Sequence, residues 1–300
     1  MDMTQNKCCR HGANLRRRRR RRRKILRSII FSCSIIAVAV FVTVGSSMIR
    51  SGDGRTNKYD VEAGNNTYDN AVIENSKISE KNKIQNNQSM LDDIMNSTQY
   101  PKQLKDLALK NEEALEFVYD YPAEHVKKHT IDLTEEASMD SVPLFVQWDK
   151  RWGYEKYSGN FFAASGCGPT TLSMVVVYLT HNREASPIAV AKYSKEAGYS
   201  VDGSGSSWTL ISEGCRHYGV KAKTVALDES RMKAELDEGH PIVVNVGPGD
   251  FTDTGHFMVI TGYDDEGFSI NDPNSIEKSG KRWLFKNISS QIRAVWSMYV

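Results

Sequence analysis

An uncharged run of 22 residues, 28–49, separates the first 27 residues of this 300-residue chain from the rest. The run is rich in Ile, Val, Ala and Phe, and a helix needs about 20 such residues to cross the apolar core of a bilayer. The apolar core of a cleavable signal peptide is shorter, at about 7–15 residues. We therefore predict an uncleaved transmembrane helix over residues 28–49; a signal peptide cleaved near Gly45–Ser47 is the alternative.

Basic residues stand directly before this run. Eight consecutive arginines, Arg16–Arg23, and Lys24 lie in the N-terminal tail, residues 1–27. Because positively charged flanks stay in the cytoplasm, the tail is predicted to be cytoplasmic and everything beyond Arg50 to lie outside. As a topology signal, the arginine run requires neither a nucleic acid nor an anionic lipid as a partner. The sequence thus predicts a single-pass protein of the cell membrane.

The rest of the chain is acidic. Residues 1–50 contain 13 of the 39 Lys and Arg residues and one of the 37 acidic residues, so residues 51–300 carry 26 bases and 36 acids. An acidic body argues against a nucleic-acid-binding domain, which needs a basic face for phosphates. The five cysteines have neither the spacing of a disulfide framework nor that of a zinc site. We predict no metal, no cofactor and no nucleic-acid partner.

Two segments separate the predicted membrane helix from a globular domain. Residues 50–98 are polar, with too few apolar residues to form a core, which predicts a flexible spacer. Residues 99–140 carry leucines at near-helical spacing between Pro101 and Pro122, which predicts a short helical segment that packs on the domain after it. An autonomous coil or a pro-segment is the alternative for this segment.

Residues 141–300 have the composition of a globular domain. Apolar spacing predicts helices at 168–180, 187–197, 208–217 and 230–238, and then strands at 241–246, 256–263, 268–271 and 295–300. Helices followed by antiparallel strands form an α+β fold.

A cysteine stands where the first of these helices begins. The motif Ser-Gly-Cys-Gly-Pro-Thr-Thr, residues 165–171, precedes an apolar run, and Pro169 suits the first turn of a helix. At a helix N-terminus, unpaired N–H groups and the helix dipole favour an anion, which lowers the pKa of a thiol from about 8.5. Cys167 is therefore a candidate nucleophile; a structural cysteine or a disulfide with Cys215 is the alternative.

A candidate base and its partner lie on a predicted hairpin. The strand that begins at His256 and the strand that leads to Asp272 flank a turn at Asp264–Gly267. If Asp264 pairs with Phe268, His256 and Asp272 share one face of the ribbon. They are then offset by four residues of about 3.3 Å each, too far for a hydrogen bond unless the strands bend. A surface histidine and an aspartate that begins an Asp-Pro turn are the alternatives.

Four features together resemble the double-glycine, or bacteriocin-leader-processing, cysteine peptidases and their stand-alone relatives in Gram-positive bacteria. They are Gln147, the Ser-Gly-Cys-Gly-Pro-Thr-Thr helix start, Gly-His-Phe-Met-Val-Ile-Thr-Gly-Tyr at 255–263 and Asn-Asp-Pro-Asn at 271–274. The resemblance covers residues 141–300 and implies a papain-like cysteine peptidase fold.

The resemblance also implies a role for each site residue. Cys167 is the implied nucleophile, His256 the base, and Asp272 the residue that orients the base. Gln147 is the implied oxyanion donor, together with the backbone N–H of Cys167. In the transporter-linked enzymes the glutamine lies only a few residues before the cysteine, whereas Gln147 precedes Cys167 by 20 positions.

The predicted function is a membrane-anchored, extracytoplasmic cysteine peptidase that hydrolyses peptide bonds through a Cys-His-Asp triad. Its expected partners are a peptide or protein substrate and the membrane, and we expect a monomer. An amidase of the same chemistry acting on cell-wall peptides and a non-catalytic peptide-capture module are the alternatives. The presence of all three residues in the right order favours catalysis, since a capture module has no need of them.

Overall fold

The computed structural model describes residues 66–300, with side chains from residue 79 onward. The predicted cytoplasmic tail, residues 1–27, and the predicted transmembrane helix, residues 28–49, lie outside the described residues. Within residues 66–300, no helix is both long enough and apolar enough to cross a membrane.

A helix, α1 (Asn66–Asn96), occupies most of the segment that we predicted as a flexible spacer over residues 50–98. The prediction of a flexible spacer is wrong over this helix. An α-helix satisfies its backbone hydrogen bonds internally, so a polar sequence can be helical where tertiary packing holds one end. The held end is the C-terminal one, where Met90 and Ile94 pack into an apolar cluster of the next segment.

The helices predicted for residues 99–140 are present as short pieces. They are α2 (Lys102–Lys110), α3 (Leu115–Tyr119), α4 (Tyr121–Glu124) and α5 (Thr134–Ser138), with a 3₁₀ turn at Glu112–Ala114. Apolar side chains of α2 and α3 pack with Phe161 and Ala163 of the next domain. Tyr154 of that domain donates a hydrogen bond of 2.7 Å to the carbonyl oxygen of Phe117. The segment is thus docked on the domain, as predicted.

The strands of the domain form two small ribbons and one larger sheet. The ribbons pair β1 (Lys156–Tyr157) with β2 (Asn160–Phe161) and β3 (Ser200–Val201) with β4 (Gly205–Ser206). The sheet contains β5 (Lys221–Thr224), β6 (Ile242–Val246), β7 (His256–Asp264), β8 (Gly267–Asn271), β9 (Arg282–Trp283) and β10 (Ile292–Tyr299). All its pairings are antiparallel, in the order β5-β10-β6-β7-β8-β9.

Seven further helices belong to the same domain. They are α6 (Phe162–Ser165), α7 (Cys167–Thr180), α8 (Pro187–Glu196), α9 (Thr209–Ser212), α10 (Glu229–Asp237), α11 (Ile276–Ser279) and α12 (Phe285–Ile288), with 3₁₀ turns at Gly214–Tyr218 and Ser289–Gln291. The helix predicted at 208–217 is divided into α9 and the first of these turns.

Side chains on opposite faces of the sheet belong to two different cores. Along β6, where every residue is buried, Val243 packs in one core with Leu172 of α7, and Val244 packs in the other with Met232 of α10. This alternation follows from the two-residue period of a strand. The predicted α+β fold of helices and an antiparallel sheet is confirmed.

Candidate active site

Cys167 is the first residue of α7, as the motif at 165–171 predicts. The helix continues as a buried apolar run, so the core holds its position. Gly168 is required by close packing, because a Cβ atom there would lie 2.6 Å from the Oγ atom of Ser206. Cys167 is partly exposed and lines a cleft.

The surroundings of the Cys167 thiol favour its anionic form. Removal of the sulfur from bulk water raises its pKa and is the largest single influence. A hydrogen bond and charge interaction with His256, together with backbone contacts to Phe257 and Gly168, outweigh that effect. The net result is a thiol pKa below the ordinary value for cysteine.

The alternative of a disulfide is wrong, because Cys167 and Cys215 are both free thiols. Cys215 is fully buried in the core, and burial raises its pKa to about 11. These two thiols therefore differ in chemistry: Cys167 has a lowered pKa and lies at a cleft, and Cys215 has a raised pKa and is enclosed.

His256 is the first residue of β7, and its Nε2 atom lies 2.7 Å from Oδ1 of Asp272. Both side chains are buried. Burial alone would lower the pKa of His256, but the charge and hydrogen bond of Asp272, helped by the contact with Cys167, raise it above its ordinary value. A lowered thiol pKa beside a raised imidazole pKa is the direction of shift that favours a thiolate–imidazolium pair.

The turn between β7 and β8 differs from the predicted one. Asp264 pairs with Gly267 instead of Phe268, which leaves a turn of two residues. Gly267 has a φ angle of +134°, and a Cβ atom on it would lie 2.6 Å from the carbonyl oxygen of Trp283. Only glycine fits such a backbone position, and this explains the tighter turn.

A β-bulge in β7 then brings His256 and Asp272 together. The register shifts at Thr261, and beyond it Val259 pairs with Asn271. Continuing this register places Asp272 two residues from the level of His256. Since a strand rises about 3.3 Å per residue, the offset is about 7 Å instead of the roughly 13 Å of the predicted register. Their side chains can therefore meet.

Asp272 is held by its own loop. Its Oδ1 atom accepts a second hydrogen bond, of 2.8 Å, from the backbone N–H of Asn274, and its backbone N–H donates to Oγ of Ser279 at 2.9 Å. Its Oδ2 atom is buried and has no hydrogen-bond partner among the residues that the structure describes. The Asp-Pro turn that we gave as the alternative is thus also present, and Asp272 both caps the turn and bonds to His256.

Gln147 lines the same cleft as Cys167, although 20 positions separate the two residues. Its backbone N–H donates to the carbonyl oxygen of Pro273, and its Nε2 donates to that of Ala163, both at 2.7 Å. The opposite amide orientation would set two oxygen atoms against each other, so these contacts fix which end of the amide is the donor.

The cleft is a cavity of about 520 Å³ that Cys167, His256 and Gln147 share. The sequence analysis missed two of its walls: the loop 249–255 between β6 and β7, and helix α2, represented by Leu107. No local signal marks α2 as a cleft wall, because its leucine pattern indicates only that the helix packs on something.

Two further histidines have partners of their own. The ring of His217 stacks on Tyr193 with centroids 4.0 Å apart, and Nδ1 of His240 lies 3.0 Å from a carboxylate oxygen of Glu235. In the part of the chain with described side chains, no three His, Cys, Asp or Glu residues are grouped as a metal site requires.

Alkylation of Cys167 is predicted to depend weakly on pH. A thiolate that persists at low pH should react with iodoacetamide at nearly the same rate at pH 6 and pH 8, whereas a thiol of ordinary pKa gains roughly 80-fold over that interval. The measurement is the rate of adduct formation on Cys167 by mass spectrometry, with Cys215→Ala as the matched control. An 80-fold rise at Cys167 would contradict the lowered pKa.

The chain is similar to two solved peptidase structures. One is the peptidase domain of Streptococcus ComA, a bifunctional ABC transporter involved in a quorum-sensing pathway, with 19% identity and a TM-score of 0.39 over 53% of this chain and 96% of that one. The other is a C39-like peptidase from Bacillus anthracis, with 17% identity and a TM-score of 0.33 over 53% of this chain and 95% of that one. No curated protein matches the chain.

The Peptidase_C39 like family matches residues 139–300, which is more than half of the chain. The match starts two residues before the predicted domain boundary at 141 and includes Gln147, Cys167, His256 and Asp272. The chain belongs to the Peptidase_C39-like family.

Proposed function

We propose that the chain is a membrane-anchored cysteine peptidase whose domain at 141–300, with a papain-like fold, hydrolyses peptide bonds outside the membrane. Cys167 is the nucleophile, His256 carries the proton, and Asp272 orients the imidazole. The observation that carries the proposal is the 2.7 Å hydrogen bond between His256 and Asp272 beside a thiol of lowered pKa. Membership of the peptidase family supports the same reaction class.

The reaction starts from the thiolate–imidazolium pair. The sulfur of Cys167 attacks the carbonyl carbon of the peptide bond, and the π electrons of the carbonyl move to its oxygen. Nε2 of His256 is engaged by Asp272, so Nδ1 gives its proton to the leaving amine as the C–N bond breaks. The resulting thioester is attacked by water, whose proton His256 takes and keeps. Release of the carboxylic acid restores the thiolate–imidazolium pair.

Gln147 is proposed to stabilise the oxyanion that forms in each addition step. Gln147 lines the cleft, and its Nε2 carries two hydrogens, of which one is donated to Ala163 and the second is the proposed oxyanion donor. The backbone N–H of Cys167, at the start of α7, has no partner within the helix and is the other donor. Two donors aimed at the developing negative charge are the usual arrangement for acyl transfer.

Replacement of Gln147 should slow acylation without changing the reactivity of the thiol. We expect Gln147→Ala to lower kcat by about 10²–10³-fold, the usual cost of losing one oxyanion donor. Gln147→Glu has the same shape but places a carboxylate against the oxyanion, so it should be at least as slow. Single-turnover acylation is the measurement, and iodoacetamide labelling of Cys167 is the control, because alkylation forms no oxyanion. Equal loss in both assays would indicate a structural role instead.

Protease treatment of intact cells tests whether residues 51–300 lie outside the membrane. The arginine run before residues 28–49 predicts that protease added to intact cells removes residues 51–300 and leaves a short stub in the membrane. An epitope tag at each end, followed by immunoblotting of cells and medium, gives the result. A soluble, N-terminally shortened product in the medium would show that residues 28–49 are a cleaved signal peptide.

The activity is tested on the full-length chain in detergent. Synthetic peptides and cell-wall peptides are incubated with the protein, and mass spectrometry follows both the products and any acyl adduct on Cys167. Cleavage of ordinary peptide bonds with a transient adduct supports the peptidase. Cleavage of wall peptides alone would assign an amidase. Binding without cleavage or adduct would assign a capture module and overturn the proposal.

A further inference from the structure

Two side chains from the helical segment before the family domain contact the loop that carries Asp272. Asn111 donates a hydrogen bond from Nδ2 to the carbonyl oxygen of Asn274 at 2.9 Å, and the same Nδ2 lies 3.1 Å from Oδ1 of Asn274. Asn111 is itself held, because its Oδ1 accepts the backbone N–H of Glu113 at 3.0 Å. Asn111 and Glu113 both precede residue 139, where the family match starts.

Glu113 makes the second contact with this loop. One carboxylate oxygen accepts the hydroxyl of Ser275, and the other accepts the backbone N–H groups of Ile276 at 2.7 Å and Glu277 at 3.1 Å. Ser275 is buried. A single carboxylate thus engages three donors at the start of α11, directly after the Asp272 loop.

These contacts are linked to the proposed catalytic pair through Oδ1 of Asp272. The backbone N–H of Asn274 donates to Oδ1 of Asp272 at 2.8 Å, and the same Oδ1 bonds to Nε2 of His256. A shift of Asn274 therefore moves the oxygen that orients the imidazole. Residues of the family domain also contact the loop: the backbone N–H of Gln147 donates to Pro273, and the indole of Trp148 lies 3.4 Å from the carbonyl of Asn274.

We infer that Asn111 and Glu113 are positioning residues for Asp272, so that the working catalytic unit includes the 102–124 segment as well as the family domain. The inference rests on the proposed function. It assigns to this segment a role that a pro-segment, which must be removable, does not have. Helix α2 of the same segment forms one wall of the cleft, and this agrees with a permanent place in the active protein.

The experiment compares Asn111→Ala, Glu113→Ala and Glu113→Gln in the full-length chain. Glutamine can accept the two backbone N–H groups through its oxygen and donate to Ser275 through its nitrogen, so Glu113→Gln should recover most of the activity that Glu113→Ala loses. Each alanine variant should lower kcat about tenfold with KM within twofold, since a misplacement of about 1 Å can cost up to 10²-fold. Glu116→Ala, an exposed neighbour, is the matched control.

A second readout separates positioning from stability. The titratable groups that act on His256 are Asp272 and Cys167. If Asp272 is held less firmly, the thiolate–imidazolium pair should exist over a narrower pH range. The lower pH limit of this range should rise and the upper pH limit should fall. Both limits are measured from the pH profiles of Cys167 alkylation and of kcat/KM. These limits are midpoints and do not depend on the fraction of folded protein.

Wild-type kcat and pH limits in both alanine variants would overturn the inference. The inference would also be overturned if the loss of activity in these variants equalled their loss of folded protein and both pH limits were unchanged. Failure of the proposed function looks different, because the wild-type chain itself would then show no fast alkylation of Cys167 and no hydrolysis.

Discussion

Replacing Cys167 with alanine is expected to abolish peptide hydrolysis and the acyl adduct together. Without the sulfur no thioester can form, and loss of the nucleophile in comparable acyl-transfer enzymes costs about 10⁴–10⁶-fold in kcat. The measurement is single-turnover cleavage of a peptide by the full-length protein, with adduct detection by mass spectrometry. The fold should survive, because Cys167 is partly exposed at the helix start and contributes little to the core.

Cys215→Ala is the matched control for this variant. Cys215 is buried away from solvent, and its pKa is raised to about 11, so it takes no part in thiolate chemistry at neutral pH. Removing its sulfur should lower the free energy of unfolding by about 1 kcal/mol through a small cavity and leave kcat unchanged. Hydrolysis that persists in Cys167→Ala, or that disappears in Cys215→Ala with the fold intact, would refute the assignment of the nucleophile.

The second large effect is expected at His256. His256→Ala removes the proton carrier, which is worth about 10²–10⁴-fold, and it should also raise the pKa of Cys167, because His256 has the largest of the effects that lower it. The variant should therefore lose both hydrolysis and fast alkylation at pH 6. Added imidazole should restore part of the hydrolysis if the cleft admits it.

Variants of Asp272 should rank below His256→Ala in effect. In Asp272→Asn the amide oxygen can still accept the Nε2–H of His256 and fix its orientation, but the negative charge that raises the pKa of His256 is lost. Asp272→Ala loses both and should be slower than Asp272→Asn. Asp253→Asn, an exposed residue of the same cleft, is the matched control. Wild-type rates in Asp272→Ala would show that His256 is oriented by another group.

The place of Cys167 could be predicted from the sequence because its signals are local. Glycine, proline and an apolar run define where a helix begins within about one residue, and the helix start by itself indicates a lowered thiol pKa. The alternation of β6 and β7 between two cores follows in the same way from residue spacing.

The meeting of His256 and Asp272 could be predicted only in part. Side chains alternate between the two faces of a strand with a period of two residues. The two side chains therefore share one face in the predicted register and also after the register shifts by two residues. The distance does not follow, because it depends on a bulge at Thr261 and on a two-residue turn that Gly267 permits. A bulge adds one unpaired residue to a strand and leaves no consistent mark on the apolar pattern.

The contacts of Asn111 and Glu113 with the Asp272 loop could not be predicted from the sequence. Asn111 and Glu113 read as exposed turn residues, since a polar residue after a helix is the ordinary case. Their partners lie more than 160 positions further along the chain, so the contacts exist only after both segments have packed. The same holds for α1, whose polar sequence becomes a helix where Ile94 is anchored in an apolar cluster.

The composition of the two outer strands of the sheet limits what can be added to it. One edge is β5, where Lys221 and Lys223 place positive charge along a strand of four residues, and the other is β9, which has only two residues. Short or lysine-bearing edges are poor templates for pairing with another chain, since they offer few free backbone groups in a row and repel a second copy. Neither edge of this sheet is therefore a ready site where an extended peptide, or a second copy of the chain, could add an extra strand.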